Sequence, residues 1–156
     1  MKVVSLIDVR PAKRVSGLLI LAVAGCLLSS CASVQREAAP AQPDRPQAGK
    51  GLVIFYRERH FTGGGVSYKV FDNGTRIGGL PNGAYFVYQA QPGVHTFTAA
   101  TEVTDEKPLA VEAGKTYYIR GEVQMGVFVG RPHLIIVDRQ EAANKIKDLH
   151  RVKMKP

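Results

Sequence analysis

Four histidines, two cysteines and one basic, glycine-rich stretch are the parts of this chain best suited to chemistry. His60, His95, His133 and His150 are scattered. No H-E-x-x-H pair and no G-x-S-x-G nucleophile turn is present, so the usual metal and acyl-transfer patterns are missing. His95 alternates in register with Phe97 and Ala99, which places it at a strand start with one ring nitrogen bonded to backbone. His150 falls on the polar side of a tail helix, and His133 opens a strand after Pro132. The stretch RERHFTGGG (57–65) gathers Arg57, Arg59 and His60 ahead of three glycines. Loops on rigid scaffolds carry most binding sites, and glycines let backbone N–H groups approach an anion, so this is a candidate loop for a phosphate or a polymer carboxylate. The plainer reading is a hairpin loop with solvated arginines. MGVFVGRP (125–132) is a second candidate, because Arg131 is held between Gly130 and Pro132. Its plainer reading is a tight corner, with Met125, Val127 and Phe128 filling core. No residue set calls for a metal or a cofactor. An enzyme reading, hydrolytic or metal-dependent, needs His60 and His133 to converge with a carboxylate, since metal ligands meet about 2 Å from one ion.

Both cysteines, Cys26 and Cys31, lie in the run LLILAVAGCLLSSCASV (18–34), and none follows. Residues 1–14 end in Lys13 and Arg14, an apolar run follows, and small residues come next, which is the order of a secretory signal. The run is short for a membrane span, which needs about 20 residues. A bacterial lipoprotein signal ends in an apolar residue, two small ones and a cysteine that becomes the lipidated first residue. VAGC and LSSC both qualify. Cys31 is favoured over Cys26 because it leaves a fuller apolar length from Val15 to Leu28 and is followed at once by polar sequence. Acyl chains on that cysteine would anchor the protein stably, and Ala32 in place of Asp points to the outer membrane, facing the periplasm. An uncleaved signal anchor with two incidental cysteines is the alternative. With no cysteine beyond the anchor, stability must come from core burial alone.

The elements that position these residues follow from turn signals. QREAAPAQPDRPQAG (35–49) contains three prolines and no large apolar residue, and reads as a semi-rigid tether. LVIFYR (52–57) is apolar on both faces, like a central strand. VSYKVFD (66–72) meets TRIGGL across Asn73-Gly74, the strongest short hairpin signal. AYFVYQA (84–90) and VHTFTAA (94–100) flank Gln91-Pro92-Gly93, and Ala113-Gly114-Lys115 repeats the device. RPHLIIVD (131–138) is a further strand. Asp138 and Glu141 then resemble a capping box, and Ala142, Ile146 and Leu149 fall on one helical stripe. A helix packed on the sheets fits this stripe better than one lying on anionic lipid, because the apolar face lacks aromatics.

The order VFDNGTRIGGLPNGAYF, PGVHTF, AGKTYY and GVFVGRP resembles the bacterial lipoprotein family built on domain of unknown function 2846, over about residues 50–141. The middle section is also similar to the PEGA surface module. The resemblance implies a small exported sandwich domain and brings no known activity.

The net charge of +8 is concentrated at the ends, because residues 51–140 carry nine basic and eight acidic side chains. A basic tail on a near-neutral body is a solvated helix face rather than a nucleic-acid site. The expectation is therefore an all-β protein: a signal peptide at 1–30, a lipidated cysteine and tether at 31–50, an antiparallel β-sandwich of about seven to eight short strands at 51–140, and a basic C-terminal amphipathic helix and tail at 141–156. It would act as a non-catalytic binding or scaffold module. Its partners would be the membrane, through the lipid, and an envelope protein or an anionic envelope polymer.

Overall fold

The computed structural model describes residues 35–38, 44–101, 103–125 and 130–153. Cys26 and Cys31 lie outside the described residues, as do the signal segment and the corner at 126–129. Residues 33–156 cluster as one unit.

The strands are β1 (Gln35–Arg36), β2 (Gly51–Arg57), β3 (Tyr68–Asp72), β4 (Thr75–Leu80), β5 (Ala84–Ala90), β6 (Gly93–Ala100), β7 (Thr104–Val111), β8 (Thr116–Met125) and β9 (Gly130–Val137). A helix, α1 (Arg139–Ile146), and a last strand, β10 (His150–Lys153), follow. They form a six-stranded sheet in the order β1-β10-β5-β2-β8-β9 and a four-stranded sheet in the order β4-β3-β6-β7. The all-β sandwich is thus the architecture observed.

Every residue of β2 is buried, as its unbroken apolar run requires of a central strand. Val53 and Phe55 face the space between the sheets, while Leu52, Ile54 and Tyr56 face outward. Phe55 stacks on Phe86 with ring centroids 4.8 Å apart and meets Phe97 edge-on at 5.1 Å, a compact aromatic centre. The Asn73-Gly74 turn forms as predicted. Both residues take positive φ, +46° and +80°, and Asp72 pairs directly with Thr75.

Pairing departs from the antiparallel expectation at two places. β2 runs parallel to β8, and β10 runs parallel to β5. Parallel neighbours need a long crossover, which is usually a helix; between β2 and β8 the crossover is made by strands β3 to β7 instead. The Gln91-Pro92 turn joins strands of different sheets and is not a hairpin. Ala90 pairs with Gly51 in one sheet and Gly93 with Val111 in the other, so the chain changes sheet there, through Gly93 at φ +144°.

Of the basic helix and tail expected at 141–156, the helix is α1, and the residues after it include a strand, β10. Asp138 caps α1 by accepting the Glu141 N–H at 2.8 Å. Ala142, Ile146 and Leu149 pack on the outward face of the six-stranded sheet, against the cluster that includes Leu52, Ile54 and Tyr56. The chain then turns into β10, whose Val152 enters the core between the sheets. A single apolar residue between Arg151 and Lys153 suits strand alternation and no longer feeds a helical stripe.

The expected tether is tied down where it is described. Gln35 and Arg36 pair with Lys153 and Val152. Arg151 reaches Glu37 at 2.8 Å and Asp44 at 2.7 Å, and Gln89 bonds Arg45 and Gln47. The folded part therefore begins before residue 50.

Candidate functional site

Arg57 ends β2 on its inward face and is only 1% exposed. Its guanidinium donates to the Val66 carbonyl at 2.5 Å and the Gly63 carbonyl at 2.7 Å, and it lies 5.6 Å from the centre of the Tyr68 ring. Burial lowers its pKa, since no carboxylate offsets the lost hydration. Arg57 thus serves the backbone of its own loop and is withdrawn from any ligand in solution.

His60 and Arg59 remain at the surface. The His60 backbone is clamped by Asn82, which accepts its N–H at 3.0 Å and donates to its carbonyl at 2.9 Å. The glycines that follow close the loop on itself: Gly64 donates to the Phe61 carbonyl, and Val66 to that of Gly63, which sits at φ +73°. The N–H of Gly64 is therefore spent inside the turn rather than presented to an anion. Phe61 projects from the tip, fully exposed. Beside the loop, Glu58, Arg59, Lys145, Asp148 and Leu149 line a shallow groove, across which Lys145 and Glu58 pair at 2.7 Å.

Arg131 stands exposed on β9, paired with Gln124 of β8. Its neighbour Gly130 is buried, and a Cβ there would come within 2.8 Å of Val123. His133, on the same strand, faces Asp105 at 3.4 Å, and Asp105 also accepts the Leu134 N–H at 2.7 Å. His60 and His133 therefore belong to separate networks. Among the described residues, no three His, Cys, Asp or Glu side chains are grouped to hold a metal ion.

Two arrangements escape sequence reasoning. In the first, His95 is buried and uses both ring nitrogens: Nδ1 lies 2.8 Å from both carboxylate oxygens of Asp72, and Nε2 lies 2.7 Å from the Gln91 carbonyl. Tyr88 donates to Asp72 at 2.7 Å, and the imidazole stacks on Phe97. Asp72 ends β3, His95 is the third residue of β6 and Tyr88 lies on β5, so this network joins the two sheets. A neutral ring can satisfy one of its two acceptors, and a doubly protonated ring both. The backbone bond predicted for His95 is present; the carboxylate partner lies 23 residues away, at the end of β3.

The second brings Arg59 and His150 to Gly83, with Arg36 near enough to act on the His150 charge. The Gly83 carbonyl accepts the His150 N–H at 3.2 Å, and Arg59 Nε lies 3.0 Å from where a Cβ on Gly83 would sit. Glu58 is paired with Lys145, and Glu37 and Asp44 with Arg151. Burial lowers the His150 pKa, and the cationic Arg36 and Arg59 lower it further. Glycine at 83 was the one available signal, and glycine alone does not say what will lean on it.

A model of the family described as proteins of unknown function, DUF2846, matches residues 47–131, more than half of the chain. The chain belongs to the DUF2846 family. This DUF2846 protein is also 28% identical over 130 residues to an uncharacterized protein of Haemophilus influenzae, an alignment covering 80% of this chain and 77% of that one. No solved structure matches the chain. The matched span runs from before β2 into β9, so it takes in the whole four-stranded sheet and β5, β2 and β8 of the six-stranded one, and leaves β1, α1 and β10 outside.

Proposed function

We propose that this DUF2846 protein is an outer-membrane lipoprotein, anchored at Cys31 and facing the periplasm, that acts as a non-catalytic binding or scaffold module of the cell envelope. What carries the reading is the charged, apolar and small-residue order of residues 1–31 ending in LSSC, and the pairing of Gln35–Arg36 with β10 begins the described sandwich four residues after Cys31. Four residues span at most about 14 Å. A lipid on Cys31 would therefore hold the sandwich against the bilayer surface, where a tether of 31–50 would have held it several nanometres away. The charged, apolar and small-residue order of residues 1–31 supports export and lipidation.

Intact mass and membrane fractionation of the native protein beside Cys31→Ala and Cys26→Ala test this. Loss of the acyl mass and release from the outer membrane on Cys31→Ala alone is the expected result. Unchanged mass and location in both variants would overturn the lipoprotein reading.

A further inference from the structure

We propose that the outer face of the four-stranded sheet is where a second copy of this chain docks, face to face, to make a two-fold dimer. Strand alternation decides which side chains lie there. In β6, His95, Phe97 and Ala99 point into the sandwich and are buried, so Val94, Thr96 and Thr98 point out. In β7, Leu109 and Val111 pack on the core between the sheets, which leaves Glu106, Pro108 and Ala110 outside. Phe71, between inward Val70 and Asp72, faces out as well, and Val94 is 76% exposed. The outward face of the six-stranded sheet carries α1, whereas this face presents exposed and half-exposed side chains.

The pairing register makes the charges on this face self-complementary. Arg76 of β4 lies opposite Phe71 of β3, Phe71 opposite Thr98 of β6, and Thr98 opposite Glu106 of β7. The four form one row across the sheet, with a cation at one edge and an anion at the other. Neither Arg76 nor Glu106 has a side-chain hydrogen-bond or ion-pair partner among the described residues. A two-fold axis along the strands, between β3 and β6, sets β4 of each copy over β7 of the other and β3 over β6. Arg76 then meets the partner's Glu106, twice over by symmetry, and Phe71 covers the partner's Thr98. In the next row Lys69 lies opposite Ala100, so the same axis lays a long side chain over a small one. An axis along the row would instead set arginine on arginine and glutamate on glutamate, so charge selects the axis along the strands.

Neighbouring strands lie about 4.8 Å apart and rise about 3.3 Å per residue, so four strands of this length offer a face of roughly 500 Å². Two such faces bury roughly 1,000 Å² in all, the lower limit for a specific interface. The dimer is therefore weak and in equilibrium with monomer. An axis along the strands also keeps strand directions alike in the two copies, so both β1 strands enter from the same end. Two lipid anchors in one bilayer require that, and confinement to a membrane raises the effective concentration of a weak pair; this point alone rests on the lipoprotein reading.

Sedimentation equilibrium of the full chain in an uncharged detergent, over a range of protein concentrations, tests this beside Arg76→Glu, Glu106→Arg and the double variant. The native chain should form dimers that weaken as sodium chloride is raised. Each single reversal sets like charges against each other at two symmetric places and should weaken dimerisation about tenfold or more. The double variant exchanges the two charges and should recover most of the native affinity, a rescue that neither misfolding nor a contact elsewhere would produce. A chain that stays monomeric at every concentration overturns the proposal, as does a dimer that both single reversals leave unchanged or a double variant no better than the singles. All four proteins share one N-terminus, so micelles shared through a lipid or a signal segment contribute equally to each. The comparison therefore stands whether or not Cys31 is acylated.

Discussion

Tyr68 and Gly121 show how closely single residues constrain one another here. Tyr68 is 1% exposed, and a Cβ on Gly121 would fall 1.7 Å from its hydroxyl oxygen. Gly121→Ala should therefore destabilise the fold by about 2 kcal/mol through overpacking. The Tyr68 hydroxyl has no hydrogen-bond partner among the described residues, so Tyr68→Phe should be neutral or stabilising and should recover part of the Gly121→Ala loss. Urea unfolding of the two single variants and the double variant checks this, and strictly additive losses would count against the contact. Tyrosine ionisation gives a second prediction. Burial, with Glu141 near one and Asp72 near the other, pushes the hydroxyls of Tyr56 and Tyr88 up to about 12. Unfolded tyrosines ionise at about 10. Their contribution to stability is thus complete below pH 10 and is lost as pH climbs through 12, because the unfolded chain releases those protons first. Melting temperatures across that range, with tyrosinate absorbance, should show the decline.

At the scale of elements, the additions to the sandwich are fastened by ion pairs as well as by apolar packing. Glu141 of α1 receives Arg120 and Tyr56, both on the sheet it covers, and Arg120 also pairs with Glu122. Arg151 of β10 binds Glu37 and Asp44 and so fastens the described parts of 35–50 to the sheet. Arg151→Ala should leave the sandwich folded, because Val152 still fills the core, but should open the 35–50 segment to limited proteolysis. Cleavage there should rise severalfold over the native protein, while cuts inside β2 to β9 stay rare; equal resistance in both proteins would show that Arg151 does not hold the segment. The edges of the two sheets are joined in the same manner, since Asp105 of β7 takes the Leu134 N–H of β9 and Thr101 donates to the Gly130 carbonyl at 3.2 Å. Such side-chain bridges cover a sheet edge that would otherwise offer unpaired backbone to another chain.

For the whole molecule, stability rests on the apolar centre between the sheets, since residues 32–156 contain no cysteine. Thermal unfolding of the sandwich should accordingly have the same midpoint with and without a reductant, and a reductant-dependent shift would reveal a stabilising role for Cys26 or Cys31. Much of this architecture was legible in the chain. The burial of β2, the Asn73-Gly74 turn, the Asp138 cap and the stripe of Ala142, Ile146 and Leu149 all follow from local periodicity and backbone preference, which act over a few residues. The candidate site was legible only in part. Arg57, Arg59 and His60 look equivalent as neighbours in a loop, yet strand alternation at the end of β2 turns Arg57 into the sandwich and leaves the other two outside. Sequence by itself determined the strand-rich fold, the turn positions and the confinement of both cysteines to the first 31 residues. Only the tertiary structure decided that β2 lies parallel to β8, that His95 meets Asp72, and that Arg59 and His150 meet at Gly83 with Arg36 acting on the His150 charge. Those pairings join residues from 23 to 114 positions apart, and a side chain's partners at such separations are set by how sheets stack and cross, which no short window of sequence encodes.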